Sequence, residues 1–170
     1  WQYLLGRGVT IFLLLNLYLF FEEGIDFYKN YKRIGWSGLI GGTGLGIAMI
    51  SFIWSITNTS AAVTLLCLAA MPFMTAFLGF LFLHEKISFN VWVAIILASI
   101  GIIIIAIGNF SAGTLFGLLF GLASALGFSV FSVSLRWRKE TPKFTTVAIA
   151  GLICAIVSMV ILVETDSNLL

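Results

Sequence analysis

The sequence predicts an all-α membrane protein, a polytopic bundle of six transmembrane helices. Charged residues make up only 9% of the chain and hydrophobic residues 61%, whereas a soluble domain usually carries about 25% charged residues. The mean hydropathy is +1.13, so lipid is the solvent for most of the side chains. Alternating strand patterns are absent, and helices are therefore expected to satisfy the backbone groups inside the bilayer.

Six apolar segments are long enough to cross the hydrocarbon core, which takes about 20 residues in a helix. They are joined by short connections that carry nearly all of the charge. The six segments are 2–21, 35–56, 61–83, 89–108, 113–135 and 144–163.

The basic residues lie almost entirely in alternate connections. Eight of the nine follow the first, third and fifth segments, namely Lys29, Lys32, Arg33, Lys86, Arg136, Arg138, Lys139 and Lys143. Because basic residues are retained on the cytoplasmic side, we expect segments 22–34, 84–88 and 136–143 to face the cytoplasm. The chain is thus predicted to be integral to a bacterial cytoplasmic (inner) membrane, with Trp1 and Leu170 on the outer side.

The third segment contains a proline near its middle. Pro72 removes a backbone hydrogen bond and frees the carbonyl of Leu68, which then needs another partner inside lipid. Thr64 and Thr75 lie on about the same helical face as this kink. This face of the kinked helix either lines a cavity or packs against other helices of the protein.

The third segment ends at a His-Glu-Lys sequence, residues 84–86. Lys86 can extend its charge to the headgroups, and Ser88 is a suitable cap for the next helix. Glu85 and Lys86 are therefore interpreted as residues of an interfacial turn that holds this end of the bundle.

The order of features along segments three and four is that of a known family. A Ser-Ala pair starts the third segment, a proline divides it, Glu-Lys-Ile-Ser ends it, and an apolar segment with a glycine follows. This stretch, SAAVTLLCLAAMPFMTAFLGFLFLHEKISFNVWVAIILASIGIIIIA, resembles the core of the EamA-type drug/metabolite transporters. The matching residues are Ser60, Ala61, Pro72, Glu85, Lys86, Ile87, Ser88 and Gly101.

Two further positions bear on this resemblance. Upstream, LLGRGVTIFLL is similar to the Arg-bearing second helix of the family and places Arg7 at the matching position. His84 stands where the family often has glycine. The resemblance implies ten helices in two inverted five-helix repeats, of which this chain matches helices two to seven. Residues 1–110 are then helices two to five of the first repeat, and 111–170 the first two of the second.

Small residues recur every fourth position in the second and fifth segments. Gly38, Gly42 and Gly46 share one face, and Gly117 and Gly121 share another. Such faces let helices approach closely in lipid. They serve either a static bundle or helices that slide past one another during transport.

A few polar and aromatic residues lie inside the segments. Arg7 either extends to the outer interface or recognises an anion along the pathway. Asn16 must find a hydrogen bond, from a neighbouring helix or from a solute. Trp54 is an interfacial anchor or part of the pathway, and Phe128 with Ser132 gives the fifth segment an aromatic and polar face.

No sequence motif indicates catalysis or a cofactor. GxxxxGK[ST], GxSxG and HExxH are absent, and His84 is the single histidine. We expect no catalytic residue, no cofactor, no metal ion and, at a net charge of +2, no nucleic-acid partner. Cys67 and Cys154 lie in apolar runs and are predicted to be buried free thiols.

The predicted function is that of a secondary transporter, a permease or exporter that moves a small organic metabolite or drug-like solute by alternating access. The resemblance implies that segments 35–56, 61–83 and 113–135 line the pathway. The predicted lining residues are Arg7, Trp54, Thr64, Met71, Pro72, Thr75, Phe128 and Ser132. The predicted structural or gating residues are Asn16, Gly38, Gly42, Gly46, Glu85, Lys86, Gly117 and Gly121.

Two other functions remain open at this point. One is a six-helix substrate-binding membrane subunit that requires an ATPase partner, and the other is a purely structural bundle. The chain starts at Trp1 without an initiator methionine and stops at an apolar Leu170, so we expect it to be a fragment. The expected partners are a small organic solute and the lipid bilayer, with a homodimer as an open alternative.

Overall fold

The computed structural model describes residues 1–108 and 112–167, and the described backbone is helical almost throughout. The helices are α1 (Gln2–Glu23), a 3₁₀ turn (Gly24–Phe27), α2 (Tyr28–Arg33), α3 (Gly35–Asn58), α4 (Ala61–Ala69), α5 (Met71–Leu83), α6 (Phe89–Gly108), α7 (Ala112–Trp137) and α8 (Lys143–Ser167).

The predicted polytopic helical fold is confirmed. Within the described residues, α1, α3, the α4–α5 pair, α7 and α8 are each long and apolar enough to cross a membrane, and α6 is a further apolar helix at the fourth predicted segment. The connection between the fourth and fifth predicted segments lies largely outside the described residues, and so does Leu170, which is predicted to be on the outer side.

Helix α3 is the centre of the bundle because glycines on two of its faces admit two neighbours. Its contact with α7 is the most extensive in the described structure. A Cβ on Gly44 would lie 3.1 Å from the carbonyl oxygen of Gly127 in α7, and one on Gly42 would lie 2.8 Å from Ile149 Cγ2 in α8. The predicted glycine face therefore packs on α8, and a second face packs on α7.

Helices α1 and α8 cross at a pair of glycines. A Cβ on Gly8 would lie 2.7 Å from both the Gly151 carbonyl oxygen and the Ala155 nitrogen. A Cβ on Gly151 would lie 2.9 Å from the Gly8 carbonyl oxygen and 3.2 Å from the Phe12 nitrogen. The contact is thus reciprocal, with residues 8 and 12 of one helix facing residues 151 and 155 of the other.

The third predicted segment is divided, whereas the sequence predicts one kinked helix. Helix α4 ends at Ala69, and Pro72 is the second residue of α5. Proline is favourable there because backbone N–H groups in the first turn have no partner within the helix. The hydroxyl at the break is that of Ser129 in α7. It is shared between the carbonyl oxygens of Ala125 in its own helix (2.8 Å) and of Met71 (3.1 Å), and Leu68 is not its partner.

The basic connections lie together at one end of the bundle, which we call the basic end. Ser37, at the start of α3, shares a hydrogen bond of 2.6 Å with Thr141 between α7 and α8. Glu85 forms an ion pair with Arg136, and the ring of Tyr18 in α1 lies 5.4 Å from that of Phe144 in α8.

Replacing Gly8 by alanine is expected to lower the melting temperature of the full-length protein in detergent. The new methyl group would meet backbone atoms of α8 that cannot rotate away, and overpacking of this kind costs about 1–3 kcal/mol. Thermal unfolding measures the effect.

The matched control for that substitution is Gly6→Ala on the same helix. No atom lies within 4 Å of the Gly6 Cβ position, and alanine is there favoured over glycine by about 0.5–1 kcal/mol in helix propensity. An equal loss of stability in both variants would contradict the close crossing of α1 and α8.

Candidate functional site

A cleft of about 430 Å³ opens between α3, α5 and α7 toward the basic end. Helices α3 and α5 each pack on α7 and leave space between themselves. The volume of the cleft falls in the range of small-molecule sites, about 300–1,000 Å³. Its lining residues are Ile40, Leu78, Phe82, Leu83, Val130, Val133, Ser134 and Trp137.

The lining is apolar apart from one hydroxyl and one indole. Ser134 donates its hydroxyl to the Phe131 carbonyl oxygen of its own helix (2.8 Å), so its donor is satisfied without a ligand. Trp137 is 61% exposed and ends α7 at the mouth of the cleft. The cleft therefore suits a solute with an apolar body.

A tight turn follows α5 beside the cleft. His84 adopts the left-handed conformation, with φ 54° and ψ 31°, and the next backbone N–H, that of Glu85, donates to the Gly79 carbonyl oxygen (3.3 Å). This geometry gives a physical reason for the glycine that the EamA-type transporters often have here, since the left-handed region favours glycine.

The turn places Glu85 against the end of α7, where it pairs with Arg136. A Cβ on Gly79 would lie 2.9 Å from Glu85 Oε2 and 3.7 Å from an Arg136 nitrogen, so the missing side chain makes room for the pair. The two side chains are 39% and 46% exposed. Such a pair contributes about 0–1 kcal/mol to stability, which makes it easy to open.

The predicted lining residues of the third segment lie outside this cleft. Thr64 is fully buried and shares a hydrogen bond of 2.8 Å with Ser55 of α3. Met71 accepts the hydrogen bond from Ser129 through its backbone. Pro72 is exposed and Thr75 half-buried on α5.

Trp54 lies at the opposite end of the bundle in a row of aromatic rings. Its ring centroid is 5.7 Å from that of Trp1 and 5.1 Å from that of Phe120. Beside it is a smaller cavity of about 210 Å³, lined by Trp1, Ile53, Trp54, Thr57 and Asn58. Trp54 is therefore separate from the basic-end cleft.

The remaining predicted lining residues surround the central packing of the bundle. Phe128 packs against the buried cluster formed by Leu4, Leu45, Met49, Ala150 and Cys154. Arg7 and Ser132 are half-buried. Among the carboxylates whose side chains the structure describes, none pairs with Arg7.

Asn16 connects α1 to the basic end. Its amide nitrogen donates to the Phe12 carbonyl oxygen (2.7 Å), and its amide oxygen accepts from the Tyr31 hydroxyl of α2 (2.8 Å). Partial burial raises the pKa of Tyr31, so the phenol stays protonated as the donor. Asn16 thus attaches the short helix α2 to α1.

The predicted small residues lie at helix contacts. Gly38 approaches Thr141 and Thr146, and Gly46 approaches Ile153, which places both against the α8 side. At the opposite end, Gly117 and Gly121 of α7 meet Thr59, Ser55 and Cys67.

Cys67 and Cys154 are buried free thiols, as predicted. Lys86 is exposed.

The cleft residues were missed because they form no motif. Leu78, Phe82 and Val130 are indistinguishable in sequence from lipid-facing residues of the same helices. The available signal was Trp137, a tryptophan at the end of an apolar segment and between two arginines.

Fold and cleft together define a polytopic helical membrane protein with a ligand-sized cleft at one end. A family model of EamA-like transporters matches residues 1–107, and the chain belongs to that family. Neither curated protein sequences nor solved structures give a match.

Replacing His84 by glycine is expected to preserve or raise the melting temperature, and replacing it by valine to lower it. A non-glycine residue in the left-handed region costs about 1–2 kcal/mol, and a β-branched residue tolerates this region poorly. Lys86→Val in the same turn is the control, because positive φ among the described non-glycine residues is confined to His84. Equal melting temperatures for the two valine variants would argue against the left-handed turn.

Proposed function

We propose that this chain is part of a secondary transporter that moves a small organic solute by alternating access, with the basic-end cleft on the solute's path. The observation that carries the proposal is which helices form the walls of the cleft. They come from α3, α5 and α7, which belong to the three segments that the resemblance implies line the pathway. Family membership favours a transporter over a subunit dependent on an ATPase.

The proposed arrangement has a first repeat in residues 1–110 and the start of a second in 111–170. The family match, which ends at residue 107, supports this boundary. The reciprocal α1–α8 contact at Gly8 and Gly151 also supports it, because equivalent helices of an inverted repeat are related by a two-fold axis in the membrane plane.

The proposed orientation places segments 22–34, 84–88 and 136–143 in the cytoplasm of a bacterial cell. Their position at one end of the bundle supports this assignment, because all three then face the same compartment. The cleft accordingly opens toward the cytoplasm, and the Trp54 cavity toward the outer side.

In this proposal the Glu85–Arg136 pair is the gate of the cleft. It joins the turn after α5 to the end of α7, which belong to different proposed repeats. A pair of low stability suits a gate, since each transport cycle has to open it.

Replacing Glu85 by glutamine is expected to raise severalfold the rate at which a membrane-impermeant maleimide labels a Val133→Cys reporter in the full-length protein. Both native cysteines are first replaced by alanine. The amide keeps the shape of Glu85 but removes the charge attraction, so the cleft opens more often.

Two variants make the test of the gate specific. Lys86→Gln, at the next position, removes an exposed charge outside the pair and should leave the labelling rate unchanged. The double exchange Glu85→Arg with Arg136→Glu should restore a low rate. Identical rates in all variants would show that the pair does not control access.

Filling the cleft with Val133→Trp is expected to abolish solute-dependent stabilisation. The measurement is the thermal stability of detergent-purified full-length protein against amino acids, nucleosides, amines, organic cations and organic acids. A ligand at a hundredfold excess over its Kd stabilises the folded protein by about 2.7 kcal/mol. The control is Ile104→Trp on α6, at a side chain that is 64% exposed. A ligand that stabilises both variants equally binds elsewhere.

A further inference from the structure

We infer that the basic-end cleft selects aromatic organic anions, with Arg138 as the residue that recognises the charge. This inference rests on the proposed function, because it assigns a solute class to the same cleft. It depends on three properties of the molecule, namely the apolar lining, an arginine next to Trp137 that pairs with no described carboxylate, and the positions of the acidic residues in the sequence.

The lining favours an aromatic body. Phe82 and Trp137 present rings to the cleft, and Leu78, Val130 and Val133 supply branched apolar surface. Aromatic rings gain from stacking against such partners beyond the area that they bury. The hydroxyl of Ser134 already donates within its own helix, so it is not free to donate to a solute. We therefore expect the polar group of a solute to be bound at the mouth of the cleft and not by its walls.

Two arginines flank Trp137 in the chain, and they differ in their partners. Arg136 is neutralised by Glu85. The Arg138 side chain lies over the start of α3, with a guanidinium nitrogen 2.9 Å from the Cβ position of Gly35. Gly35 has φ 55°, and its missing side chain leaves room for the guanidinium.

Arg138 has no ion-pair partner among the residues that the structure describes. A guanidinium offers a planar fork of donors that matches a carboxylate. Arg138 is exposed and follows Trp137 in the chain, and in this inference it binds the charged group of a solute whose ring contacts Trp137.

The acidic residues disfavour a cationic solute. All seven lie outside the predicted segments, at Glu22, Glu23, Asp26, Glu85, Glu140, Glu164 and Asp166. Within these six segments a cation would therefore have no carboxylate as a counter-charge, which is unfavourable in a medium of low dielectric.

Three probes with one ring system and different charges test the inference. Indole-3-acetate is an anion, indole-3-acetamide is neutral and tryptamine is a cation. Titration calorimetry with the full-length protein in neutral detergent should give a Kd for indole-3-acetate at least tenfold below the Kd for indole-3-acetamide. Tryptamine should have the highest Kd of the three probes.

Arg138→Gln should remove the preference for the anion and leave acetamide binding unchanged. Lys139→Gln, at the next position, should change neither, because charge recognition is assigned to Arg138 alone. Val133→Trp should weaken all three probes by at least tenfold, since it occupies the site of the ring.

Each contrary result has a definite meaning. Equal affinities for the three probes, no binding of any, or a preference that survives Arg138→Gln would overturn the anion assignment, while the solute panel with Val133→Trp separately tests the transport path. Binding unaffected by Val133→Trp would overturn both the assignment and the cleft. If added phosphatidylglycerol abolished the binding of both indole-3-acetate and indole-3-acetamide, the cleft would be a lipid site. That result would also overturn the inference.

Discussion

The close approach of helix backbones at glycine is the contact on which the rest of this structure depends. Inside a bilayer no hydrophobic force drives helices together, so they associate through van der Waals contact and interhelical hydrogen bonds. Helix α3 meets α7 through Gly44 and α8 through Gly42. The hydroxyl of Ser124 in α7, which donates to the Ala48 carbonyl oxygen (2.9 Å), strengthens the first of these contacts.

The tight core explains why a cleft can form elsewhere. Helix α3 is held against α7 by small residues, and α5 packs on α7 less extensively. The division of the α4–α5 pair at Ala70 lets α5 take its own direction from a break supported by Ser129. The space left between α3 and α5 is the basic-end cleft, and its walls are apolar because the same surfaces are built for lipid.

Charged residues lie at the ends of α5 and α7, where the structure is held by weak interactions. The ends of α5 and α7 carry a strained turn at His84 and an exposed ion pair between Glu85 and Arg136. Neither contributes much stability, in contrast to the glycine contacts of α3. This distribution of stability fits the proposed function, in which one end of the bundle opens while the packing at the centre persists.

Hydropathy and charge in the sequence were sufficient to predict the helical membrane fold and the segment boundaries to within a few residues, because lipid imposes the same length and composition on every spanning helix. The family was suggested by a resemblance in the order of short motifs, one of which contains Glu85, and the spacing of small residues identified Gly42. The tertiary structure alone decided which helices are neighbours, that Arg136 is the partner of Glu85, and that Thr64 is buried against Ser55. It also decided that Leu78 and Val133 line a cleft. These outcomes depend on which apolar face meets protein and which meets lipid, and both environments select the same side chains.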